Sequence, residues 1–109
     1  MATVDEFLAL DVRVGTVVSA RPLRSAHTPA YVLSIDFGSL GTKASSAQIT
    51  DLYDPEDLVG LQVVAVVNFP SRRVAGLDSE VLVLAVDDGK GASILLIPER
   101  PVPDGGKVS

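Results

Sequence analysis

The chain has 109 residues, with 14 acidic and nine basic side chains and a formal net charge of −5. This length fits one domain, and the 47% hydrophobic and 21% charged residues are ordinary for a globular protein. The absence of cysteine excludes disulfides, thiol catalysis and cysteine-ligated metal sites. The acidic balance argues against strong non-specific nucleic-acid binding, because basic contacts to phosphates supply most of that affinity.

The amino-terminal segment does not have the pattern of a signal peptide. It lacks a basic start, and Asp5, Glu6 and Asp11 interrupt its apolar residues. No apolar run anywhere reaches the roughly 18 residues that a membrane span needs. We therefore expect a cytoplasmic protein that does not insert into membranes.

The first half of the chain predicts a short helix followed by three strands. Thr3 and Glu6 have the spacing of a capping box, which predicts a short amino-terminal helix. "DVRVGTVVSARPL" predicts a strand that bends at Gly15, and "YVLSIDFG" alternates as a second strand. "KASSAQIT" predicts a third, more polar strand.

The second half predicts one more helix and then strands joined by a hairpin. In "DLYDPEDLVG", Asp54 can cap a short helix and Pro55 suits its first position. "LQVVAVVNF" predicts a strand that is buried on both faces, and "EVLVLAVDD" predicts its partner. "GASILLIP" predicts one more short strand, and the proline-rich tail from Pro98 should be extended.

Three strands, a short helix and two further strands are the element order of an OB-fold. We therefore predict an all-β single domain over residues 1–109. It is a five-stranded Greek-key barrel with a short helix after strand three and short terminal extensions. In this fold the 1–2 and 4–5 loops and the face of strands 2–3 carry ligands. The hairpin over residues 70–78 would be the 4–5 loop.

Four segments in this order resemble the tRNA-binding-domain family: "DVRVGTV", "KASSAQIT", "VVNFPSRRVAGLDSEVLVLA" and "PERPVPDGGKV". Within that family the chain is most similar to the small CsaA export-chaperone group. The resemblance implies an OB-fold core, a homodimer, and binding without catalysis. The CsaA group binds unfolded or pre-secretory polypeptides, and the wider family binds tRNA. This chain lacks the lysine-rich extension of many tRNA binders. For this chain the resemblance therefore implies only weak tRNA binding.

Arg72 and Arg73 are the first candidate ligand contacts. Their guanidinium groups on a ligand-facing loop can bind phosphate or carboxylate. The alternative is that they form weak surface ion pairs with Asp78 or Glu80.

Four polar residues of the third strand form a second candidate group. By alternation, Lys43 and Ser45 lie on one face, whereas Ser46 and Gln48 lie on the other. They form either a hydrogen-bonding wall for ligand or a polar edge strand that prevents aggregation.

Three residues near the arginine hairpin complete the candidate set. Asn68 either presents its amide to ligand or caps the turn. Phe69 is the aromatic residue best placed for contact with a ligand, and Ser79 lies after the hairpin. The lone His27 is expected to be exposed and inert, because no other metal ligands cluster with it.

No catalytic constellation is recognisable, so we expect a binding protein with no cofactor. Phosphate-binding glycine loops and paired nucleophile and base motifs are both missing from the sequence. The expected partners are a second copy of the chain, unfolded polypeptide clients and, weakly, tRNA. Apolar outer strand faces and the extended tail, which can cross to a neighbour, motivate the expectation of a homodimer.

Overall fold

The computed structural model describes residues 1–109 and contains two short helices and nine strands. The helices are α1 (Val4–Leu8) and α2 (Pro55–Leu58), and a 3₁₀ turn covers Gly38–Leu40. The strands are β1 (Val12–Pro22), β2 (Tyr31–Asp36), β3 (Thr42–Ala47), β4 (Gln62–Val66), β5 (Arg72–Val74), β6 (Leu77–Ser79), β7 (Leu82–Val83), β8 (Ala85–Asp87) and β9 (Ser93–Leu95).

Five strands form one nearly closed antiparallel barrel sheet in the order β3-β2-β1-β4-β7. The β5–β6 hairpin and the β8–β9 pair are separate two-stranded sheets. Inside the barrel lies a cluster of 12 buried side chains, among them Leu33, Ile35, Phe37 and Val63. This arrangement confirms the predicted all-β barrel, with its short helix after the third strand.

Gly15 allows β1 to pack tightly against β2. A Cβ atom at this position would lie 2.6 Å from Ile35 Cγ2 and 2.8 Å from the backbone oxygen of Asp36. The irregularity in the β1–β2 ladder lies later, between Val17 and Ser19. Gly15 therefore provides close approach between the two strands.

Both predicted helix starts are confirmed. The Thr3 hydroxyl accepts from Glu6 N–H at 3.2 Å, and the Glu6 carboxylate accepts from Thr3 N–H at 2.9 Å. Asp54 occupies the N-cap of α2, and Pro55 is its first residue. Neither helix has the length and apolar character of a membrane span.

The single strand predicted over "EVLVLAVDD" is divided into β7 and β8. Leu84 N–H donates to Val64 O in β4 at 2.9 Å, whereas Leu84 O accepts from Leu96 N–H at 3.1 Å. From Ala85 onward the chain pairs with β9 instead of the barrel. The division arises because the segment changes hydrogen-bonding partners at Leu84.

The carboxy-terminal tail folds back onto its own β1, so the expectation that it crosses to a neighbour is not met. Gly105 N–H donates to Val14 O at 2.7 Å, and Val108 N–H donates to Val12 O at 2.8 Å. The Gln62 side chain holds the tail at Val102 through two hydrogen bonds. These contacts attach the tail to the amino-terminal half of β1 and to the start of β4.

Two tyrosines attach the segment before α2 to β2 and to β9. The Tyr31 hydroxyl donates to Tyr53 O at 2.7 Å, and the Tyr53 hydroxyl accepts from Leu95 N–H at 3.1 Å. Desolvation raises the pKa of the Tyr31 phenol, and the nearby carboxylates of Asp54, Glu56 and Asp57 raise it further. The phenol therefore stays protonated at neutral pH and keeps its donor role.

We predict that Gln62→Ala lowers the free energy of unfolding by about 1–3 kcal/mol. The partly buried Gln62 amide donates to Val102 O at 2.7 Å and accepts from Val102 N–H at 3.0 Å, so truncation leaves both groups without their partner. Urea unfolding followed by circular dichroism measures the change.

Gln48→Ala is the matched control, because the exposed Gln48 makes no hydrogen bond. Its expected change is within about 0.5 kcal/mol. Equal losses in the two variants would show that Gln62 does not hold the tail.

Candidate ligand-binding site

The β5–β6 hairpin forms the loop between the fourth and fifth barrel strands, as predicted. Arg72 pairs with Ser79 and Arg73 with Asp78, and the turn contains Ala75 at φ 48° and Gly76 at φ 84°. A glycine in the second position lowers the steric cost of this left-handed turn. The hairpin therefore has a fixed register, which sets the positions of the two arginines.

The hairpin is attached to the edge of β3 at three points, which together we call the seam. Glu80 N–H donates to Ala44 O at 2.8 Å, and Ala44 N–H donates to the Glu80 carboxylate at 3.1 Å. Ser46 N–H donates to Ser79 Oγ at 3.0 Å. Only the first of these bonds joins two backbones, so side chains supply the other two parts of the seam.

A pocket of about 410 Å³ lies beside the seam, and we call it the hairpin pocket. It is lined by Ser46, Phe69, Pro70, Ser71, Arg72, Ser79, Glu80, Val81 and Leu82. Phe69 and Leu82 are each 43% exposed, so both offer apolar surface to a ligand. The pocket therefore combines an apolar lining with one cation and several polar groups, as ligand sites generally do.

Four of the nine predicted site residues line this pocket. They are Ser46, Phe69, Arg72 and Ser79. Ser79 is 6% exposed, and its hydroxyl is already bonded to Ser46 N–H, so it shapes the pocket through the seam. Arg72 has no carboxylate partner within the protein and remains free for a ligand.

Gln48 and Arg73 line grooves that adjoin the pocket. A groove of about 450 Å³ contains Gln48 together with Arg72, and another of about 560 Å³ contains Gln48, Arg73 and His27. Arg73 also donates to Asp78 Oδ1 at 2.8 Å, an exposed pair of the kind that contributes little stability. Lys43 is half-buried on β3 opposite Ile35 and lines neither groove nor the pocket.

Two predicted site residues have contacts inside the protein. Ser45 is fully buried and donates to Ser46 O at 3.1 Å, because its face of β3 points into the barrel. Asn68 accepts from Asp11 N–H at 2.8 Å and donates to Ala9 O at 2.9 Å. The Asn68 amide thus attaches the segment after α1 to the end of β4. We leave both residues outside the site that we propose below.

The sequence interpretation missed Glu80 and Leu82 as site residues. Glu80 was considered only as an ion-pair partner for the arginines, but its carboxylate binds the β3 backbone. Leu82 lies in a run that is apolar at every position from Val81 to Val86, so alternation does not distinguish its inward and outward positions. Only the adjacency of Glu80 to the hairpin could have pointed to its role.

Positive charge is concentrated around the hairpin. Residues 21–30 contain Arg21 and Arg24 and no acid, whereas residues 68–81 contain two arginines and two acids. These two segments together have a net charge of +2. Because the whole chain has a net charge of −5, the remaining residues carry −7. A groove of about 380 Å³ lined by residues 21–25 and 75–77 shows that the two loops lie side by side. The acidic protein therefore has a locally basic end.

The five-stranded barrel and the hairpin between its fourth and fifth strands define an OB-fold domain. The sequence matches the family described as "Putative tRNA binding domain" over residues 12–107, and the chain belongs to this family. The predicted family is thereby confirmed.

Proteins of two kinds are similar to the chain. It is 33% identical to the methionine–tRNA ligase of Methanococcoides burtonii over 105 residues and 38% identical to that of Methanothrix thermoacetophila over 101 residues. These matches cover 96% and 93% of the chain but only 15% and 14% of the ligases. The chain therefore corresponds to a small part of those enzymes.

Among solved structures, the chaperone CsaA from Bacillus anthracis has 55% identity and a TM-score of 0.95, with 100% of this chain and 99% of that chain covered. The CsaA chaperone protein from Picrophilus torridus has 42% identity and a TM-score of 0.93, with both chains covered completely. The predicted resemblance to the CsaA group is confirmed at the level of fold and sequence.

Proposed function

We propose that the protein is a homodimeric chaperone of the CsaA type that binds unfolded or pre-secretory polypeptides in the cytoplasm. The observation that carries this proposal is the hairpin pocket, which places exposed Phe69 and Leu82 beside the unpaired cation of Arg72. Unfolded chains expose apolar side chains, backbone carbonyls and carboxylates, and such a pocket offers a complement to each. The similarity to two chaperones named CsaA supports the same function.

The proposed activity is binding, without a chemical step or a nucleotide cycle. The sequence contains no glycine-rich loop of the kind that binds nucleotide phosphates. Client release would then follow the binding equilibrium, and protection should not depend on ATP.

We predict that the protein slows aggregation of a chemically unfolded enzyme equally with and without ATP. Phe69→Ala and Arg72→Glu should each weaken protection about fivefold or more, because each removes a central contact of the pocket. Light scattering measures aggregation, and circular dichroism verifies that the variants fold. Lys90→Glu is the matched charge control, since Lys90 is exposed on the β8–β9 turn and makes no ion pair. Full protection by both folded pocket variants would exclude this pocket as the client site.

Exposed apolar residues on β8, β9 and α1 support the proposal of a homodimer. Val86 and Ile94 form a cross-strand pair and are 53% and 42% exposed, and Leu96 and Ile97 continue the apolar surface. Helix α1 has no buried residue, and its Phe7 is exposed. A two-fold contact between copies is the commonest way for a protein to cover such a surface.

We predict a solution mass of twice 11.4 kDa at micromolar concentration, measured by light scattering coupled to size-exclusion chromatography. Val86→Glu should shift the mass toward one chain, because it places a charge in the centre of the apolar surface. Leu52→Glu is the control, since Leu52 is comparably exposed but lies in the turn before α2. A wild-type mass of a single chain would refute the dimer.

Binding of tRNA is the second candidate function. The locally basic end and the family description both favour it. The net charge of −5 opposes long-range attraction of RNA, so we expect micromolar or weaker affinity near physiological salt. In this case Arg72 and Arg73 would contact phosphates.

We predict that the affinity for tRNA falls as salt rises, with a slope of log affinity against log salt concentration of roughly −3 to −5. This slope is the counterion release expected for the four hairpin arginines of a dimer, with some help from Lys43. Arg72→Ala combined with Arg73→Ala should flatten this slope by roughly 0.7 to 0.9 for each phosphate that the two arginines neutralise. Filter binding of total tRNA across a salt series measures both quantities. Tight binding that is insensitive to salt would contradict the electrostatic account. No binding even at low salt would leave the arginines to polypeptide clients.

A further inference from the structure

The outer edge of β3 is covered over only part of its length. Its other edge pairs with β2 from Thr42 to Ala47. On the outer edge the seam uses Ala44 N–H and O and then Ser46 N–H. Backbone groups that point to one edge of an extended strand recur every second residue. The next set in this alternation belongs to Gln48, the first residue after the end of β3.

Gln48 has no hydrogen-bond partner within the protein. Neither its backbone N–H nor its backbone C=O is bonded, and its side chain is exposed and makes no hydrogen bond. An open strand edge of this kind is a template for pairing with another extended chain. The sequence places no proline here, so the N–H is available as a donor.

A groove of about 450 Å³ runs along this open edge, and we call it the edge groove. Apolar side chains supply most of its lining, namely Ala47, Ile49, Val74, Leu82, Val83, Ala85 and Leu95. Ile49 and Leu95 are buried at its base. The edge groove also shares Ser46, Arg72 and Leu82 with the hairpin pocket. The two cavities therefore adjoin at these three residues.

We propose that the edge groove binds an extended polypeptide segment as an added strand alongside β3. The segment would accept a hydrogen bond from Gln48 N–H and donate one to Gln48 C=O. Alternate side chains of the segment would enter the apolar lining, because successive side chains of a strand point to opposite faces. This inference rests on the proposed chaperone function and specifies how the client is held beyond the hairpin pocket.

A polypeptide fits the edge groove better than RNA does. Arg72, at the junction with the hairpin pocket, is the only cation that lines the groove, and its lining has no aromatic ring for base stacking. A strand edge recognises backbone N–H and C=O groups, which every polypeptide carries except at proline. Such recognition depends little on client sequence, which suits a protein that binds unfolded chains.

The test uses a short fluorescent peptide in which valine alternates with serine, and two isomers that are N-methylated on all valines or on all serines. In an extended chain the two sets of N–H groups point to opposite edges, so only one isomer loses the bonds to β3. Fluorescence anisotropy with the wild-type protein should give about tenfold or greater weakening for one isomer and a much smaller change for the other. The isomers have equal composition and are controls for each other.

Two variants test the protein side of the same contact. Gln48→Pro removes the backbone donor, whereas Gln48→Ala keeps it and removes only the side chain. Gln48→Pro should bind the unmethylated peptide about tenfold more weakly than Gln48→Ala does. Hydrogen exchange of the Gln48 amide in the wild-type protein should slow when the peptide is added. If Gln48→Pro fails to fold, the N-methylated isomers and the exchange measurement decide the question.

The outcomes separate this inference from the proposed function. If the unmethylated peptide binds and both isomers bind equally well, strand addition is overturned while client binding stands. If the peptide does not bind but an unfolded enzyme is still protected from aggregation, strand addition is again overturned. Failure of both peptide binding and protection overturns the proposed function as well. Slowed Gln48 exchange with single-stranded RNA, and not with peptide, would assign the groove to RNA and overturn the inference.

Discussion

The seam between β3 and the hairpin is the contact on which the site depends. A barrel of short strands has to close between its first and last edges, and here one backbone bond and the side chains of Ser79 and Glu80 make that closure. The same three contacts fix the hairpin over β3 and thereby place Arg72 and Phe69 around one pocket. The three hydrogen bonds of the seam engage the backbone of Ala44 and Ser46. They do not reach Gln48, so the edge is open at that residue.

The distribution of charge and apolar surface separates the molecule into regions of different surface chemistry. Four of the six arginines lie on two neighbouring segments of an otherwise acidic chain, which favours anionic groups in that region. The exposed apolar residues of β8 and β9 lie on strands that have left the barrel sheet. One surface is therefore basic and polar, whereas another is an exposed apolar patch of the kind that protein contacts commonly cover.

Much of the fold could be predicted from the sequence because it rests on local rules. Strand alternation placed Ser45 and Ser46 on opposite faces, and their burial agrees. The candidate site was predicted less completely. Four of the nine predicted site residues line the hairpin pocket, and two others, Gln48 and Arg73, line the grooves beside it. Asn68 was proposed from its position beside the loop, yet its amide binds Ala9 and Asp11, which are more than fifty residues earlier in the chain.

Short-range chemistry made several features predictable from the sequence alone, namely the helix caps at Thr3 and Asp54, the arginine hairpin and the element order of the barrel. Tertiary structure alone decided the direction of the tail, the change of partner at Leu84, the attachment of Glu80 to β3 and the open edge at Gln48. Each of these depends on hydrogen bonds, made or missing, between segments that are distant in the chain. Hydrophobic periodicity specifies which face of a strand is buried, but it does not specify which distant backbone group lies at its edge.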